Sequence, residues 1–120
     1  MSEMVQDFVR RTLEEFRDAK DYKYVSFSDD TSGTTQALWT PATGKAVRIA
    51  SAIISVDNAC KLELKWGTTT FTHLELETRK TVPIQLAYDI KGAVGTTLNA
   101  YLVSDSGTTH AYITIIGCEE

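Results

Sequence analysis

The side chains with the widest chemical repertoire are few in this chain: two histidines, His73 and His110, and two cysteines, Cys60 and Cys118, in 120 residues. A serine or cysteine nucleophile needs a histidine within hydrogen-bonding reach and a carboxylate behind it. No Gly-x-Ser-x-Gly elbow is present to lift a serine out of a strand-to-helix turn. His73, in TFTHLEL, falls on the polar face opposite Leu74, and His110 opens the last strand beside a turn. Both read as surface or strand-end histidines. Glu75 and Glu77 are two residues apart and so share one face of one strand, and a glycosidase pair needs carboxyls about 5–10 Å apart. Lys61, Glu63, Lys65, Arg79 and Lys80 are natural ion-pair neighbours for them on a solvated face, so a hydrolase built on Glu75 and Glu77 ranks third among the functional readings.

Metal chemistry finds equally little footing. The cysteines form no Cys-x-x-Cys and, with the histidines, match no zinc spacing. They read as small buried thiols, and a disulfide between them requires neighbouring strands and an oxidising compartment. Asp29-Asp30-Thr31-Ser32 and Asp57-Asn58 hold oxygens that a calcium ion could use at one end of a sandwich. The first lacks the EF-hand spacing and its closing glutamate, and turn-forming Asp and Asn explain both clusters. No metal and no cofactor is expected.

The triplet Gly-Thr-Thr begins at residues 33, 67, 95 and 107. The intervals of 34, 28 and 12 residues mark no solenoid or propeller period. No helical pattern and no Gly-Lys-Ser/Thr follows any of them, so they do not cradle phosphate. Each falls where one strand gives way to another, glycine supplying the turn and β-branched threonine opening the next strand.

These turns punctuate a pattern of period two that begins after Asp21. YKYVSFS, TTQALWT, KAVRIASAIISV, CKLELKW, TTFTHLELE, TVPIQLAYD, TLNAYLVS and HAYITIIG read as strands with turn signals every 8 to 14 residues. In CKLELKW, Cys60, Leu62, Leu64 and Trp66 face one way and the lysines and glutamate the other. KAVRIASAIISV is nearly apolar on both faces, which predicts a central strand covered on both sides. Pro83 points to an edge or strand-start position. The last two strands are expected to pair as a hairpin around Asp105-Ser106-Gly107. Tyr101 and Tyr112 would then lie in adjacent strands, either as an exposed aromatic pair suited to a sugar or a subunit, or beneath a second covered face.

The first 20 residues differ. Val5, Phe8, Val9, Leu13 and Phe16 recur at spacings of three to five, with charged residues on the remaining faces. The spacing predicts a helix over about residues 3–19, with Ser2 as N-cap and one apolar stripe that either lies on the sheet or docks on another chain. The expected fold is therefore mainly β: an antiparallel β-sandwich, jelly-roll-like, of about eight strands over residues 21–120, preceded by an N-terminal amphipathic helix over residues 1–20.

Bulk properties narrow the function classes. Apolar residues make up 42% and charged residues 23% of the chain, as in an ordinary globular domain. The net charge of -4 argues against nucleic acid as the main partner. No apolar run approaches the roughly 18 residues of a membrane span, and the acidic start without a small-residue cleavage site is not expected to be a signal peptide.

Four segments carry a resemblance: Ala42 to Ile49 (Ala-x-Gly-Lys-x-hydrophobic-Arg), Leu62 to Gly67, Gly95 to Leu102 (Gly-x-x-Leu-Asn-x-x-Leu), and the closing strand with Tyr112. In this cadence, which spans about two thirds of the chain, the sequence resembles the small β-sandwich virion proteins of tailed bacteriophages, archaeal tailed viruses and prophages. The shorter members begin directly with strands, without the helix. The resemblance implies a non-catalytic virion component assembled in the host cytoplasm: a head decoration protein that binds the major capsid protein or another virion protein. It implies a homo-oligomer, a trimer being one option, with no shared active site. The candidate contact residues are Val5, Phe8, Val9, Leu13, Phe16, Tyr101 and Tyr112. The rival reading is a tail-fibre or receptor-binding module that recognises carbohydrate through exposed tyrosines.

Overall fold

A computed structural model describes residues 21–120, the side chains of residues 85–89 aside. The expected N-terminal helix, with Val5, Phe8, Val9, Leu13 and Phe16, lies outside the described residues. The described chain forms eight strands: β1 (Asp21–Asp29), β2 (Thr34–Trp39), β3 (Val47–Val56), β4 (Cys60–Trp66), β5 (Thr69–Leu76), β6 (Lys80–Lys91), β7 (Leu98–Ser104) and β8 (Thr109–Glu119). They build two antiparallel four-stranded sheets, ordered β1-β8-β3-β6 and β2-β7-β4-β5. Two four-stranded sheets interleaved in this order are a jelly roll. Every connection except the β4–β5 hairpin passes from one sheet to the other.

Alternation explains the core. Cys60, Leu62 and Leu64 of β4, Leu98, Ala100 and Leu102 of β7, and Ala111, Ile113 and Ile115 of β8 are all buried, each set spaced by two. They face across the gap between the sheets, as period-two residues must when one face is solvated. Trp66 is half-buried and stacks on Phe71 across the hairpin, ring centres 5.1 Å apart. Val82 and Ile84 pack against the core from β6, an edge strand that also carries the exposed Pro83.

Two expectations require correction. First, β7 and β8 do not pair as a hairpin; they lie in different sheets. Both strands alternate, but alternation records only which side of a strand is buried, and two strands facing each other across a core satisfy it as well as two side by side. The corner between them is fixed by polar bonds: Thr109 Oγ1 to Ser104 Oγ at 2.8 Å, and the Asp105 amide to the Ala59 carbonyl at 3.0 Å. Second, β3 is central in its sheet, yet it is covered on one side only among the described residues. Its register against both neighbours shifts between Ile49 and Ser51, so Ile49 and Ala52 both point inward. The apolar run thus reflects a bulge that changes phase. Beyond it Ile53 points outward and is 44% exposed.

Candidate interaction surface

Catalytic geometry does not assemble around either histidine. His73 Nδ1 meets Glu63 Oε1 at 3.0 Å and its Nε2 meets Glu75 Oε1 at 3.4 Å. With a carboxylate on each ring nitrogen, neither is free to take a proton from a nucleophile. The bond to Glu63, then that to Glu75, raises the His73 pKa, and the same contact holds the Glu63 carboxyl below its usual range. His110 is likewise engaged: its amide donates to Asp57 Oδ1 at 2.7 Å and its Nδ1 lies 2.8 Å from Asp57 Oδ2. That amide bond is the main reason the Asp57 pKa is lowered. Glu77 falls beyond the end of β5, on the exposed connection to β6.

The acidic turn satisfies itself. The buried Asp29 carboxylate accepts from the Gly33 amide at 2.8 Å and from the Thr34 hydroxyl. Asp30 Oδ1 accepts from the Ser32 hydroxyl at 2.7 Å and the Ser32 amide at 2.8 Å, which lower its pKa. These are the bonds expected of Asx turns. Burial, followed by the charges of Asp105 and Asp57, pushes the Cys60 thiol up to about 11. No disulfide joins it to Cys118, which lies on the opposite sheet.

What the fold does build is a pair of outer faces with different chemistry. On the β2-β7-β4-β5 sheet, Thr35, Tyr101, Glu63 and His73 align in one row, flanked by Lys65 and Asn99 on one side and Lys61, Val103 and Glu75 on the other. This face is charged and internally bonded. The Lys65 ammonium sits 4.8 Å from the centre of the Tyr101 ring and 3.7 Å from Glu63 Oε2. The Tyr101 hydroxyl end reaches over Gly33, where an added Cβ would lie 2.2 Å from it. Tyr101 is half-buried, between Lys65 and Gly33.

The outer face of the β1-β8-β3-β6 sheet is different. Register gives three rows: Tyr22, Ile116 and Ser51; Tyr24, Thr114, Ile53 and Pro83; Ser26, Tyr112, Ser55 and Thr81. None of these residues is charged. Tyr22 is 67%, Tyr24 59% and Tyr112 43% exposed; with Ile53 they are four of the five large exposed apolar residues among the described ones. Charges collect at the ends of the face: Arg48 and Lys91 on Glu120 at 2.6 and 3.2 Å, and the Asp57–His110 pair. An uncharged aromatic centre rimmed by charge is the composition of a protein contact.

Tyr112 therefore belongs to this face and Tyr101 to the opposite one, so the aromatic pair that a β7–β8 hairpin would have allowed does not form. Sequence reasoning did not single out Tyr22 and Tyr24. Their signal is in DYKYVSFS: Val25 and Phe27 share the inward phase with Lys23, whose ammonium lies 5.3 Å from the centre of the buried Trp39 ring, which leaves both tyrosines outside.

No protein-family model and no curated protein sequence matches the chain. Solved structures do. The chain is similar to the crystal structure of PirA, with a TM-score of 0.55 at 10% identity over 78% of this chain and 93% of that one. It is similar to PRD1 vertex protein P5, with a TM-score of 0.52 at 12% identity over 82% and 96%. At such identities the likeness establishes the fold, a two-sheet antiparallel β-sandwich common to the three chains.

Proposed function

We propose that this chain is a non-catalytic virion structural protein, a decoration protein that binds the major capsid protein and acts by being held between neighbours. The observation that carries the reading is the uncharged face of Tyr22, Tyr24, Ile53 and Tyr112, a preformed contact area on a rigid jelly roll. The shared fold of PRD1 vertex protein P5, by its name a virion component, supports it. The residue cadence from Ala42 to Tyr112 supports it as well. Sheet edges and loops add contact area, and a typical specific interface buries about 800 Å² per partner.

The test is co-sedimentation of the purified chain with shells assembled from the major capsid protein of the same viral genome. The expected result is saturable binding and a higher melting temperature of the shell. A chain that neither sediments with shells nor raises their thermal stability refutes the decoration role. A second reading, a tail-fibre or receptor-binding module for carbohydrate, draws on the three tyrosines that share one face, since their rings could stack on sugar. Binding on a glycan array that is lost in Tyr24→Ala and Tyr112→Ala would favour it over the first.

A further inference from the structure

We infer that the tyrosine face of the β1-β8-β3-β6 sheet is covered in solution by a second copy of this chain, sheet against sheet. The inference rests on the reading of this face as a contact surface and gives it to a second copy, which leaves the sheet edges and loops to meet a capsid. Three features point to self-association. The first is charge. In a two-fold contact each residue meets the same patch of its own copy, so like charges near the axis repel. On a chain of net charge -4, the three rows from Tyr22 to Thr81 carry none, whereas the opposite sheet presents Lys61, Glu63, Lys65, His73 and Glu75.

The second feature is size. Four strands at a spacing of about 4.8 Å, nine residues long at about 3.3 Å each, give the whole sheet, its three uncharged rows and its paired charged ends together, a footprint of roughly 600 Å² before side-chain relief. That approaches the roughly 800 Å² per partner of a stable interface. The third is chemistry. Tyrosine rings and Ile53 supply apolar area, while Ser26, Ser51, Thr81 and Thr114 bring hydroxyls that can donate or accept and so need no complementary partner surface. The rim charges are already closed on one another as Arg48–Glu120, Lys91–Glu120 and Asp57–His110, so apposing two copies strands none of these pairs.

The experiment is sedimentation velocity on the full chain across a wide dilution series, with two variants at the centre of the face, Ile53→Asp and Tyr24→Asp. Both positions are solvated in the free chain, so circular dichroism should show an intact fold. Wild type is expected to have twice the 13.3 kDa chain mass and to dissociate on dilution. Each variant buries an unpaired carboxylate in the contact and is expected to weaken association about a hundredfold to a thousandfold. Lys61→Glu, on the opposite sheet, should change nothing.

A chain that is monomeric at every concentration overturns the inference. So does a dimer that survives both variants, or one lost only when residues 1–20 are removed, which would assign the contact to that segment. A chain that sediments with shells yet stays monomeric refutes this inference alone. One that dimerises through this face yet never sediments with shells refutes the decoration reading alone.

Discussion

Gly117→Ala is the sharpest test of how β8 is seated against β3. Gly117 pairs with Ile49 beside the bulge at Ala50, and a Cβ built on it would lie 2.0 Å from the Arg48 carbonyl oxygen and 3.2 Å from Ile49 Cα. The obstacle is backbone, so no rotamer change relieves it. The strands must separate by about 1 Å, which stretches an ordinary ladder bond of about 2.9 Å beyond the hydrogen-bonding limit. One or two ladder bonds at about 1 kcal/mol each, plus loosened packing of Ile49 and Ile115, give a loss of about 3 kcal/mol. With a urea slope of about 1.5 kcal/mol/M, the unfolding midpoint followed by Trp39 and Trp66 fluorescence should fall by about 2 M. Gly107→Ala is the control: its φ is +66° with nothing within 4 Å, so only the left-handed backbone penalty of about 1 kcal/mol applies. If Gly117→Ala loses no more stability than Gly107→Ala, the close approach of β8 to β3, and with it the placement of Ile53 and Tyr112 on one outer face, is wrong.

Asp29→Ala strips the acceptor from the Gly33 amide and the Thr34 hydroxyl and should cost about 3 kcal/mol in a thermal melt, with Asp29→Asn recovering part of it. Glu63→Gln should destabilise in a pH-dependent way. Because His73 is raised, its contribution is complete below the ordinary imidazole value of 6.5 and fades as pH rises through the higher folded value. Because Glu63 is lowered, its own contribution is complete above the ordinary 4.5 and is lost as pH falls through the lower folded value. The difference between wild type and Glu63→Gln should therefore be larger at pH 5.5 than at pH 8.5, and a flat difference refutes the pairing. The Cys60 thiol, buried and pushed up to about 11, should label with a thiol reagent at pH 8 only at the rate of unfolding. Prompt labelling at Cys60 in folded protein would contradict its burial.

Some of this structure was legible from residue order, and particular strands show where legibility ends. Period two reports burial directly, so Cys60, Leu62 and Leu64 read correctly as core. Turn chemistry likewise gave strand boundaries, because Gly33, Gly67, Gly95 and Gly107 all adopt positive φ. Neither signal says which strands are neighbours. β7 and β8 are adjacent in sequence and joined by a short turn, yet a corner bonded through Ser104, Asp105 and Thr109 sends them to different sheets. In β3, one inserted residue mimics a strand covered on both faces. On the candidate surface the residue pattern singled out Tyr112 but not Tyr22 and Tyr24, since tyrosine is at home in a core or on a surface and alternation alone does not sort it.

The two outer faces imply a direction for any assembly this chain enters. On the β2-β7-β4-β5 sheet, Lys65, Glu63, His73, Glu75 and Tyr101 are already partnered within the chain. Covering that face would strip water from charges whose pairing is complete, a cost with little return. On the β1-β8-β3-β6 sheet the balance reverses. Removing Tyr22, Tyr24, Ile53 and Tyr112 from water is favourable at about 25 cal/mol per Å² of apolar area, and no charge need be desolvated at the centre. Contact through the aromatic sheet therefore leaves the charged sheet facing solvent. The prediction is directional: Lys61→Glu and Glu75→Lys should leave association through the aromatic sheet intact, whereas Ile53→Asp should abolish it.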